Sequence, residues 1–226
     1  MIDWRGIDTV LLDMDGTLLD LHFDSHFWLE HLPRRYVELH QLDIASQEAL
    51  RARIIGEQGT LNWYSLAYWS RELGVDIVAL KREVQHLIGL RSDALDFLTW
   101  LKQAHPRVVL ATNADRASLA LKLPLTGLEG YLDAIISSED VGAAKEEQAF
   151  WFALQEREPF NPARTLFIDD NASVLESARE FGIKHLLGIK QPNSQRPEKE
   201  LQEFIALDRF AQLLPDNLPG QRGERS

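Results

Sequence analysis

Val10-Leu11-Leu12-Asp13-Met14-Asp15-Gly16-Thr17-Leu18-Leu19-Asp20 is the stretch on which the reading of this chain turns. The short run from Thr9 to Leu12 reads as a buried parallel strand, because such strands are apolar on both faces. Two carboxylates, Asp13 and Asp15, follow it two residues apart. Gly16 comes next, with backbone angles open to it that other residues resist, and then Thr17. In an open α/β sheet, ligands bind beyond the carboxyl ends of the strands, which is where both aspartates are expected. A carboxylate there can attack phosphorus, giving an aspartyl-phosphate that splits one hard displacement into two easier ones. A second carboxyl can protonate the leaving oxygen and then take a proton from the attacking water. Two acids this close repel one another unless a cation offsets them, so a hard, oxygen-seeking Mg²⁺ is the expected cofactor.

The composition suits an enzyme of moderate size. The 226 residues are 45% hydrophobic and 26% charged, an ordinary globular balance for one domain carrying a second, smaller one. A net charge of −11 opposes a nucleic-acid polymer as partner, since an acidic surface repels the phosphate backbone. A small anionic substrate must therefore be drawn by local cations. The sequence has no cysteine, which removes disulfides, thiol nucleophiles and thiolate metal sites together. No signal-peptide pattern and no apolar run of spanning length are visible, so a soluble, cytoplasmic protein away from membranes is expected.

Past the first strand, about 21–90 lacks strand-like alternation and reads as helices over 26–39, 46–55, 61–73 and 76–88. Ser46 is an expected N-cap and Gly74 an expected stop. From Ser92 the pattern changes to alternation. Helices are expected over 92–103 (with Ser92 as cap), 115–123, 146–157 and 172–181, and strands over 107–111, 132–137, 165–168 and 184–188. Such alternation predicts an α/β fold, a Rossmann-like three-layer core with a parallel sheet. Residues 190–199 read as a surface loop, 200–214 as a terminal helix and 215–226 as a frayed tail.

Polar residues stand at further strand ends. Thr112-Asn113 can hold phosphoryl oxygens through a hydroxyl and backbone N–H groups, or simply cap the following helix. Lys145 precedes a helix, and Asp169-Asp170 closes an apolar strand, where an acid pair is costly unless metal or hydrogen bonds offset its burial. Asp170 or Asn171 can also serve as a helix cap.

Taken in order, these residues resemble the haloacid dehalogenase superfamily from Asp8 to about Gly188. DMDGT matches its first signature, Thr112 its second motif, Lys145 its third and Asp169-Asp170 its fourth. Glu146 departs from the pattern, since many members have proline after the lysine. The resemblance implies a discontinuous core of residues 1–20 and 91–226 and a small all-helical cap at 21–90. It implies Asp13 as nucleophile, Asp15 as acid–base and Thr112, Asn113 and Lys145 on the substrate phosphate. Asp13, Asp15 (through its backbone carbonyl) and Asp170 would ligate the metal, with Asp169 acting directly or through water. Asp15 argues against dehalogenation, because halide leaves without a proton, and makes a phosphatase the default.

The aromatic segment Thr60-Leu61-Asn62-Trp63-Tyr64-Ser65-Leu66-Ala67-Tyr68-Trp69-Ser70, together with DMDGTLLDLHFD and LFIDDNASVLESA, resembles bacterial GMP/IMP-type 5′-nucleotidases. A purine is a flat π surface that aromatic side chains hold by stacking. Leu66, Trp69 and Leu73 fall at helical spacing and read as the core of the cap. Trp63, Tyr64 and Tyr68 lie around other faces, where one of them can reach the cleft. His22 and Asp24 either border the substrate or shape the hinge. The expected partner is thus a small phosphorylated metabolite, a purine nucleoside monophosphate. A sugar-phosphate or phosphoglycolate phosphatase and a non-catalytic binding protein of the same fold are the alternatives.

Overall fold

The computed structural model describes residues 2–104, 106–201 and 203–215. Strand β1 (Thr9–Leu12) lies at the centre of the sheet and is buried along its whole length. Its residues alternate between two apolar layers. Val10 and Leu12 join Phe97, Leu101, Leu110, Ile168 and Phe210 on one face, while Leu11 joins Val109, Phe150, Trp151 and Phe167 on the other. A strand buried on both faces by helices is how parallel sheets are stabilised.

A helical run follows β1. It comprises α1 (His22–His26), a π-helical turn (Phe27–His31), α2 (Leu32–His40), α3 (Ala45–Gly56), α4 (Leu61–Tyr64), α5 (Leu66–Leu73) and α6 (Ile77–Glu83). Alternation then takes over, with α7 (Ala94–Ala104), β2 (Arg107–Thr112), α8 (Arg116–Thr126), β3 (Ala134–Ser137), α9 (Ser138–Val141), α10 (Gln148–Arg157), β4 (Thr165–Asp169), α11 (Ala172–Phe181), β5 (His185–Ile189) and β6 (Ala206–Leu207). The sheet order is β3-β2-β1-β4-β5-β6, with every pairing parallel. This is the expected Rossmann-like α/β architecture. Leu12 pairs with Leu110 on one side and Ile168 on the other, so the three central strands end level.

The helices of 22–83 bury an apolar cluster of their own, in which Phe23, Phe27, Leu66, Trp69, Leu73 and Ile77 meet Leu121 of α8. Leu66, Trp69 and Leu73 are buried, as their spacing requires. Gly74, at φ +64°, stops α5.

Several local expectations are corrected. The expected helix over 61–73 breaks at Ser65, whose side chain caps α5 by accepting from Tyr68 N. Asp43, rather than Ser46, accepts hydrogen bonds at the start of α3, from both Ser46 N and Ser46 Oγ. Helix α7 begins at Ala94, two residues after Ser92. The expected terminal helix over 200–214 is instead strand β6 followed by a 3₁₀ turn, Phe210–Leu213. Its apolar residues mimic helical spacing, but Gly188 N donates to Ile205 O and Lys190 N to Leu207 O. The open edge of β5 needed backbone partners, and the chain supplied a strand. The expected tail at 216–226 lies outside the described residues.

Candidate active site

The level strand ends gather the polar residues. Asp13 continues the ladder past β1, its N–H donating to Ile168 O at 3.0 Å. Buried Lys145 lies between Asp13 and Asp169, with Nζ 2.6 Å from Asp13 Oδ1 and 2.6 Å from Asp169 Oδ2. Its loop is held from both sides: Trp151 Nε1 donates to Lys145 O at 2.9 Å, and Lys145 N donates to Asn113 Oδ1 at 2.8 Å. Burial works against the Lys145 charge, yet its two carboxylate partners hold it above the ordinary lysine range. Burial also pushes Asp169 well up, against the pull of Lys145.

Oxygens of Asp13, Asp169 and Asp170 lie within 4.8 Å of one another. Three hard oxygen donors at that separation suit a hard divalent cation. Gly16 keeps the cluster open: it sits at φ +88°, and a Cβ there would stand 2.8 Å from Asp170 Cγ. Asp170 also pairs with Lys199 at 2.9 Å, a contact that nothing in the sequence marked.

Asp15 stands outside this carboxylate group and meets a different cation. Lys122 Nζ, buried on α8, is 2.7 Å from Asp15 Oδ1 and 2.6 Å from Asp24 Oδ2. Asp24 Oδ1 accepts in turn from buried Lys81 Nζ at 2.6 Å. Burial pushes the Asp15 carboxyl up to about 6 against the pull of Lys122, with Asp24 adding to the rise. For Asp24 burial acts upward as well, but Lys122 and Lys81 together hold it below the usual carboxylate range. Lys81 is lowered by burial and lies over the rings of Phe23, Phe27 and Trp28.

Thr112 Oγ accepts from Ala114 N at 3.0 Å, leaving the hydroxyl proton to give. Both ends of the Asn113 side chain are engaged, Oδ1 by Lys145 N and Nδ2 by Glu146 Oε2 at 2.9 Å. These groups line a cavity of about 630 Å³ that reaches up to Trp28, Trp63 and Tyr64. The Trp28 and Trp63 rings lie 6.2 Å apart and 27° from parallel. Tyr64 turns its hydroxyl to Glu146 Oε1 at 2.8 Å, and Tyr68 turns to Glu57. His22 stands against His26. Sequence reasoning missed Lys122, Lys81, Lys199 and Trp28. Lys122 and Lys81 lie on helices, α8 and α6, with no local mark of their burial in the sequence.

The chain as a whole is similar to known proteins. A family model described as haloacid dehalogenase-like hydrolase matches residues 7–182. The chain belongs to the haloacid dehalogenase-like hydrolases. Within the family, it is 42% identical over 217 residues to the GMP/IMP nucleotidase YrfG of Escherichia coli K12, covering 95% of this chain and 97% of that protein. A phosphorylated carbohydrates phosphatase of Thermotoga maritima is 23% identical, covering 81% and 85%. The crystal structure of a haloacid dehalogenase-like phosphatase from Thermococcus onnurineus superposes with a TM-score of 0.76 at 21% identity, covering 92% and 96%. That last likeness carries the fold. Among the described residues, no helix is long and apolar enough to cross a membrane.

Proposed function

We propose that this haloacid dehalogenase-like hydrolase is a Mg²⁺-dependent phosphatase that removes the 5′-phosphate of purine nucleoside monophosphates, GMP and IMP. The observation that carries the substrate is its 42% identity, over 95% of the chain, to a GMP/IMP nucleotidase. A cavity walled by two near-parallel tryptophans supports it, since indole rings hold purines by stacking. In this reading residues 21–90 form a cap over a core of 1–20 and 91–226, and the enzyme works in the cytoplasm.

Asp13 Oδ attacks phosphorus opposite the ester oxygen. The ester P–O bond breaks, and Asp15, poised near neutral pH, gives its proton to the departing 5′-oxygen. Asp15 then takes a proton from water, whose oxygen attacks the phosphoaspartate. Inorganic phosphate leaves and Asp13 is restored. Thr112 donates its hydroxyl proton to a phosphoryl oxygen, and Lys145 offsets the charge shared by Asp13 and the phosphate. Asn113, with both side-chain ends engaged, holds the Lys145 loop and offers the phosphate its backbone. Asp13, Asp169, Asp170 and the Asp15 carbonyl would hold the Mg²⁺, which supplies charge neutralisation between substrate and nucleophile when bound.

The test is a phosphate-release screen over nucleotides, sugar phosphates and phosphoglycolate, run with Mg²⁺, with chelator and with Ca²⁺. GMP and IMP are expected to rank first, chelator to abolish turnover and Ca²⁺ to inhibit, because its larger, looser coordination fits in-line geometry poorly. Hexose phosphates ranking well above GMP and IMP would defeat the nucleotidase reading.

A further inference from the structure

Glu146 joins the cap to the Lys145 loop. One carboxylate oxygen accepts from the Tyr64 hydroxyl at 2.8 Å, and the other accepts from Asn113 Nδ2 at 2.9 Å. Asn113 continues the line by accepting from Lys145 N at 2.8 Å. The path therefore runs from α4, which carries Trp63 into the cavity wall, to the backbone of the lysine that touches Asp13. Two residues beyond Tyr64, the Leu66 N–H donates to Asp115 Oδ2 at 2.6 Å. Asp115 is the cap of α8, where its other oxygen accepts from Ser118 N. The break in the helix at Ser65 is what frees that N–H to point at the core. Trp63 is thus pinned from the C-terminal side by two ties, both ending beside strand ends that hold the reactive groups.

The residue type fits this role. Glu146 faces two donors, a phenol and an amide NH₂. A carboxylate offers two acceptor oxygens and no proton, whereas glutamine would turn an NH₂ toward one of them. A carboxylate is also a poor neighbour for a substrate phosphate, so its presence in this cavity calls for another purpose. Burial and the adjacent Glu146 charge both raise the Tyr64 hydroxyl, which stays a donor at any physiological pH.

We propose that Glu146 is a positioning residue that ties the Trp63–Leu66 segment to the Lys145 loop, so that closing the far wall of the pocket and seating Lys145 against Asp13 are one coupled event. Its kinetic arm rests on the phosphatase reading above; its structural arm does not.

The structural arm is hydrogen–deuterium exchange on the full chain, comparing the wild type, Tyr64→Phe, Glu146→Ala and the double variant. The Leu66 amide bonds a carboxylate of the core, so its exchange reports release of the segment. Tyr64→Phe and Glu146→Ala are each expected to speed exchange over 63–68 by about tenfold, the scale of one hydrogen bond to a charged group. The double variant should be no faster than Glu146→Ala, and exchange in α7 should be unchanged. In the kinetic arm, each substitution should raise KM for GMP by more than KM for acetyl phosphate, which is too small to reach Trp63. Glu146→Gln, keeping one acceptor, should fall between wild type and Glu146→Ala. Unchanged exchange in Tyr64→Phe, additive effects in the double variant, or acceleration spread over α7 would each overturn the proposal. If GMP proves not to be a substrate, the nucleotide reading falls while the exchange arm still decides the tie.

Discussion

The Lys122 ammonium sits 2.7 Å from Asp15 Oδ1, and the same nitrogen reaches Asp24 Oδ2 at 2.6 Å. With Lys81 on the far side of Asp24, two carboxylates and two ammonium groups alternate in a line from the end of β1 into the helical segment. Their charges balance, which is what makes the burial of two lysines tolerable.

Lys122→Met leaves Asp15 and Asp24 facing one another without the cation between them. Breaking one partner out of a buried pair costs on the order of 3–5 kcal/mol, and urea unfolding should show a loss of that size. Adding Asp24→Asn removes the surplus negative charge. The double variant should therefore be more stable than Lys122→Met alone, a non-additivity expected of contacting residues. Simple summation of the two losses would show that the line of charges is not coupled.

The pH dependence of stability should carry two opposite signs. Asp24 faces Lys122, Lys81 and Asp15, and is held below the usual carboxylate range. A depressed carboxylate contributes stability that is present above its unfolded value and lost as pH falls through its folded one. The stability gap between the wild type and Asp24→Asn should thus be full at neutral pH and shrink below about pH 4. Asp15, raised from 3.8 to about 6, instead costs stability as pH climbs from the first value to the second. In chelated protein, Asp15→Asn should gain on the wild type across that interval. Unfolding curves from pH 3 to pH 7 check both signs.

Asp13→Asn should abolish turnover, because an amide cannot serve as the nucleophile. Asp15→Asn should still bind the ester and lose more than the ~10²–10⁴-fold usual for general acid–base catalysis, since both half-reactions use the group. Acid-quench trapping of a phosphorylated intermediate on Asp13 in the Asp15→Asn protein checks the division of roles. Ordinary turnover by pure Asp13→Asn protein would refute covalent catalysis.

Trp63→Ala and Trp28→Ala should each weaken a purine nucleotide selectively. Stacking contributes on the order of 1–3 kcal/mol per base, so KM for GMP should rise tenfold or more while acetyl phosphate is affected less. Parallel losses on both substrates would mean that the pair only holds the helices together.

Much of the candidate site was legible from residue order. Asp13, Thr112 and Asp169 each follow a run of apolar residues, with Asp15 and Asp170 close behind two of them, and a buried strand has one place to put the polar residue that ends it. Lys145 taken alone reads as a solvated surface charge, and only the resemblance to the family's third motif singled it out. Lys122 and Lys81 were not legible, because a lysine on a helix has no local mark of burial; both are buried only because α6, α8 and α1 converge on Asp24. Trp28 read as one more apolar residue in a helix, and Glu146 as a departure from pattern whose partners, Tyr64 and Asn113, lie 82 and 33 residues away.

Hydrophobic periodicity and strand-end chemistry, both local properties of the chain, were enough to specify the parallel sheet and the group that Asp13 heads. What needed the folded molecule was every relation between the helical segment and the sheet. Those contacts join residues far apart in sequence through single hydrogen bonds and ion pairs, which leave no periodic trace. The final strand belongs with them: the apolar spacing of 200–214 permits a helix, and the unpaired backbone edge of β5, present only once the sheet has formed, draws Ala206–Leu207 into a strand instead.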